Sequence, residues 1–132
     1  MERRRFMEKS GCGLLGLLAG SQALAEAEEQ TPPPKRPLYK FEIEIYEARP
    51  DTWCHKKGDK FAYPQDIGRI CPWLMASMHD VLRILEYGVI LPWKYEGTPY
   101  EKVIDPNGIT TEFIRCPDPT SNLVAKITRT KV

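Results

Sequence analysis

The stretch at residues 38–48, LYKFEIEIYEA, alternates at its centre, with Phe41, Ile43 and Ile45 on one side and Glu42 and Glu44 on the other. A period of two marks a β-strand with one buried and one wet face. Such a strand cannot stand alone. Its backbone needs neighbouring strands and its apolar side needs a cover.

Both are present further along the chain. KFAYP, 60–64, is a short strand closed by Pro64, and ITTEFIRC, 109–116, and LVAKITRT, 123–130, are β-rich runs. The segment Pro117–Asn122 between the last two closes a hairpin. The cover is CPWLMASMHDVLRILEYG, where Leu74, Met78, Val81, Leu82 and Leu85 recur at helical spacing and form one apolar stripe. Pro72 suits the first helical position and Gly88 a left-handed stop. Residues 49–59 and 89–108 read as loops, the second ending in the turn Asp105-Pro106-Asn107-Gly108. The order β-β-α-β-β predicts an α+β fold: a small single domain, about four antiparallel strands and one main helix.

The N-terminal residues belong to a different class. From Gly11 to Ala25 runs an uncharged stretch of 15 residues, short of the roughly 20 that span a bilayer. Arg3, Arg4 and Arg5 precede it, and Ala23-Leu24-Ala25 closes it with an A-x-A cleavage pattern. RRRFM resembles the twin-arginine export motif, with Arg3 and Arg4 as the pair, Phe6 as the aromatic and Met7 as the apolar position; Glu8 departs from the lysine common there. Residues 1–25 are therefore expected to be an export signal, taking Cys12 with them, 26–37 a Pro-rich tether, and 38–132 the domain. The expected location is periplasmic or otherwise extracytoplasmic, with no membrane span after cleavage, and the export machinery is an expected partner.

Loss of residues 1–25 removes four basic and two acidic side chains, so the net charge moves from +1 to −1. A near-neutral, mixed-sign domain has no electrostatic footprint for nucleic acid. Three cysteines remain, Cys54, Cys71 and Cys116, and one disulfide would leave an odd thiol. Each stands at an element end: Cys54 beside His55 in a loop, Cys71 before Pro72 at the helix start, Cys116 at a strand end entering Pro117-Asp118-Pro119. Such positions present ligands and reactive groups. Unpaired N–H groups at a helix N-terminus favour a thiolate at Cys71.

Three thiolates with His55 or Asp118 would make a zinc, iron or iron–sulfur centre in a redox or accessory role, serving a larger exported redox enzyme. Against this, the spacing is not the paired C-x2-C geometry, and adjacent Cys54 and His55 reach one ion only from a bent loop. His79 would lie about 12 Å along the helix from Cys71 and reads as an ordinary, partly exposed residue. The alternatives are a disulfide-stapled binding module without chemistry and thiol redox chemistry centred on Cys71. Gly58-Asp59 reads as a tight turn, Lys56-Lys57 as a solvated loop, and Trp73 and Trp93 as core anchors.

In order, CHKKGDKF, CPWLMASMHDVLRILEYG, LPW and CPDP resemble a family of small uncharacterised prokaryotic proteins, over about Phe41 to Arg129. The resemblance implies that Cys54, His55, Gly58, Asp59, Cys71, Pro72, Trp73, Trp93, Cys116, Pro117 and Asp118 fall on the family pattern. It implies no activity. The chain departs from the family's short form in its export signal and Pro-rich tether.

Overall fold

A computed structural model describes Pro33, Lys35 and residues 37–132. The arginine motif, Cys12, the cleavage residues Ala23 and Ala25, and most of the tether lie outside the described residues. Four strands, β1 (Tyr39–Glu47), β2 (Lys60–Tyr63), β3 (Ile109–Arg115) and β4 (Val124–Lys131), form one antiparallel sheet in the order β2-β1-β4-β3. One helix, α1 (Pro72–Glu86), lies between β2 and β3 in sequence. The expected α+β architecture is the observed one.

Register explains which side is buried. Ile43 faces Phe61 on β2 and Ile127 on β4, and Ile45 faces Ala125, so the apolar positions of three strands share one face. Against it α1 lays Leu74, Met78, Leu82 and Leu85, all fully or almost fully buried. Burying a side chain of this size contributes about 1.5–3 kcal/mol relative to exposure. Val81 packs only partly, at the edge of the stripe.

The helix ends follow from local chemistry. Cys71 is the N-cap and Pro72 occupies the first turn, where its missing N–H removes nothing. At the other end Gly88 takes φ +79°. Its N–H bonds to the Leu85 carbonyl at 3.0 Å, and the Val89 N–H to the Ile84 carbonyl at 3.3 Å. That pair of bonds is a Schellman stop, and a side chain at residue 88 would also meet the Tyr39 hydroxyl.

A buried charge completes this stop. Arg129 on β4 points into the apolar face and is 1% exposed. Its guanidinium donates to the carbonyls of Leu85 (3.0 Å) and Val89 (3.4 Å) and to the Thr110 hydroxyl (3.3 Å), and stacks 4.4 Å from the Tyr39 ring centre. The partial negative charge at a helix C-terminus replaces the carboxylate such a cation would otherwise need. A second buried cation uses the other solution. Lys102 bonds to Glu112 on β3 at 2.7 Å, both side chains almost fully buried, with the Trp93 and Tyr95 rings over the ammonium at 5.1 and 5.5 Å.

Neither tryptophan expected in the core is buried there. Trp73 is 57% exposed and Trp93 48% exposed, so neither anchors the core. Trp73 is one residue, about 100° of helical rotation, away from the buried Leu74. Trp93 is outside because its face is used on Lys102.

Candidate functional site

The loop 48–59 folds around its own backbone. Gly58, at φ +92°, and Asp59 close it as a turn: the Lys56 N–H donates to Asp59 Oδ2 at 2.8 Å, and Gly58 and Asp59 bond back to Ile45. The Thr52 hydroxyl donates to the His55 carbonyl, and Lys56 Nζ to the Thr52 carbonyl at 2.6 Å. Lys56 is thus tied to its own loop.

This bracing turns His55 inward, to 7% exposure, with its ring 5.2 Å from that of Phe61. His55 Nε2 accepts the backbone N–H of Cys71 at 2.9 Å. Nε2 can accept only while it carries no proton, so a neutral ring, with its hydrogen on Nδ1, fits the bond. Burial pushes the His55 imidazole below the ordinary histidine value, while the Asp59 carboxylate pulls it part of the way back.

His55 is therefore joined to Cys54 by a peptide bond and to Cys71 by a hydrogen bond from the Cys71 backbone N–H. Both cysteines are half-buried against the core, and Trp53 beside Cys54 is 82% exposed. The same loop reaches the β3–β4 turn: the Arg49 N–H donates to the Ser121 carbonyl (3.2 Å) and Nη1 to the Thr120 carbonyl (3.1 Å). Cys54 and Asp118 line one cleft of about 90 Å³ there.

Cys116 departs from its pattern-based role. Its N–H bonds to the Leu123 carbonyl at 2.9 Å and its side chain joins the core. Asp118 is committed to its own turn, Oδ1 accepting the Thr120 N–H (2.9 Å) and hydroxyl (2.8 Å). Those bonds, the backbone one first, hold its carboxyl below the ordinary carboxylate value.

The expected ligand set of Cys54, His55, Cys71, Cys116 and Asp118 is thus brought to one end of the domain but not to one point. Among the described residues no group of three or more His, Cys, Asp or Glu is arranged to hold a metal ion. The donors do not fit a single zinc, iron or cluster centre as placed, because His55 Nε2 and Asp118 Oδ1 already accept protein hydrogen bonds and Cys116 is packed in the core. Among the described residues no disulfide joins Cys54, Cys71 and Cys116. His79, its side chain 56% exposed, is as expected an ordinary surface residue.

Nothing in the sequence marks His55 as a partner of the helix start rather than of an ion. The burial of Cys116 does leave a signal, since Ile114 and Cys116 are two apart and continue one alternation. Comparison with family models, curated proteins and solved structures finds no match to this chain.

Proposed function

We propose that the chain is a small thiol-bearing accessory domain, exported in redox service, with Cys71 as the exchanging sulfur and Cys54 as its neighbour. The observation that carries this is the 2.9 Å bond from the backbone N–H of Cys71 to His55 Nε2, which ties the helix start at Cys71 to the neutral imidazole of the residue that follows Cys54. Burial of Cys116 accounts for the odd count without leaving a third working thiol. Export rests on the pattern of residues 1–25, and the likeness of the ordered cysteine motifs to a small prokaryotic family belongs to the same proposal. Among the described residues no helix is long and apolar enough to cross a membrane.

The chemistry is exchange with a disulfide of a partner protein, such as a larger exported redox enzyme. The Cys71 thiolate attacks one partner sulfur, a new S–S bond forms, and the partner's second sulfur leaves as a thiolate and takes a proton from water. Cys71 is oxidised as that sulfur is reduced.

Brief alkylation of the folded full-length protein, followed by peptide mapping, tests this. Labelling at Cys54 and Cys71, with Cys116 labelled only after unfolding, is expected, together with a glutathione adduct at Cys71 on exposure to oxidised glutathione. A zinc or iron mass retained until unfolding, with all three thiols protected, overturns it in favour of a ligand cage. A linkage between any two of the three overturns it in favour of the stapled binding module.

A further inference from the structure

The far face of the sheet carries a second candidate site, unrelated to the cysteines. Alternation there calls for polar residues, and Glu42 and Glu44 supply them along β1. Near the end of β1, Tyr46 breaks that rule, as does Phe113 on β3, and their rings meet edge to face at 5.0 Å. Tyr100, from the loop before β3, completes the group at 6.3 Å from Tyr46 and 5.7 Å from Phe113. The Tyr46 hydroxyl donates to the Pro99 carbonyl (2.9 Å) and that of Tyr100 to Glu47 Oε2 (2.7 Å), so the loop is tied down over the sheet.

The loop does not close. Between Tyr95, Thr98 and Tyr100 on one side and Phe113, Arg115 and Val124 on the other lies a cavity of about 220 Å³. An enclosed cavity of about 150 Å³ is enough for a benzene ring; this one is larger and open to solvent, with room for a single ring bearing a small substituent. Its wall is already braced. The Thr98 hydroxyl donates to the Tyr95 carbonyl (2.7 Å) and accepts the Tyr100 N–H (3.3 Å), while Tyr95 is held at φ +53°, a conformation costly for a tyrosine.

The one charged group in the lining is the exposed guanidinium of Arg115, which neighbours the Tyr100 hydroxyl, itself bonded to Glu47, and forms no ion pair within 4.0 Å among the described residues. Arginine forks onto carboxylates in a planar, two-point geometry. We propose that this pocket binds a small molecule made of one planar aromatic ring bearing a carboxylate, the ring against Tyr95 and Phe113 and the carboxylate on Arg115.

Isotope-edited amide spectra of the folded protein, titrated with benzoate and separately with benzamide, test this. Benzoate is expected to shift residues 95–100, 113–115 and 124 with a Kd in the region of 1 mM, as suits a ligand of about ten heavy atoms. Benzamide, of the same shape without charge, should bind at least tenfold more weakly. Arg115→Gln, an exposed change that leaves the fold intact, should erase that difference. Equal binding of the two probes, a difference that survives Arg115→Gln, shifts confined to other residues, or no binding at 10-fold above that concentration each overturns the proposal.

Discussion

The two faces of this sheet are built on different principles. Beneath α1 the cover is mainly apolar: Ile43, Ile45 and Ile127 share one buried cluster with Leu74, Met78 and Leu82, and the charges on that face are answered, Arg129 by the end of the helix and Glu112, opposite Ile127, by Lys102. The opposite face is covered by a loop, only at one end, through aromatic rings and hydroxyl bonds. A helix buries a whole stripe at once, whereas a loop covers only where individual side chains reach. The first face holds the domain together, and the second is left with a pocket.

Substitutions should rank by this division. The largest loss is expected at the edge where the two systems meet: Glu112→Ala leaves Lys102 buried without its carboxylate and should cost about 3–5 kcal/mol by urea unfolding. Replacing the pair together, Lys102→Met with Glu112→Leu, should recover most of that. Leu82→Ala, beneath the helix, should cost about 3 kcal/mol. Phe113→Leu, in the aromatic group, should cost only about 1 kcal/mol, because the loss is one set of ring contacts. An outer-face loss equal to that of Leu82→Ala would erase the distinction.

A smaller, pH-dependent effect probes the cysteine corner. The folded value of His55 is depressed, so the unfolded chain binds the proton more readily. Its contribution is fully present above the ordinary histidine value near 6.5 and is lost as pH falls through that value towards the folded one. Stability should therefore decline on acidification across that window, and His55→Gln should flatten the decline. The smallest effect is expected at Lys60→Ala: its ion pair with Glu42 (3.4 Å) is about half exposed at each partner and contributes less than about 0.5 kcal/mol.

What could be read in the sequence was whatever repeats with a period. The alternation of Phe41, Ile43 and Ile45 and the stripe from Leu74 to Leu85 placed the sheet and its cover, while Pro72 and Gly88 bounded the helix. Placing the cysteines at marked points was also sound: Cys71 caps α1, Cys116 directly follows β3 and Cys54 lies in the loop before β2, although the burial of Cys116 was not foreseen. Pairings between polar residues far apart in sequence leave no such trace. Nothing about Arg129 in ITRT announces a charge that caps a helix 44 residues earlier, nor does Lys102 in YEKV announce Glu112. The tryptophans misled for a related reason. Size argues for burial, but Trp93 serves as a lid on a cation and Trp73 is beside the stripe rather than on it.

The reach of Arg129 back to Leu85 and Val89 bears on how the chain is made. β4 is an inner strand that pairs with both β1 and β3, and the cap for the end of α1 is carried on it. While the ribosome has delivered only β1, β2 and α1, the sheet lacks its middle and the helix lacks its final partner. The complete sheet and the Arg129 cap of α1 can therefore form only after the residues up to 129 have left the exit tunnel.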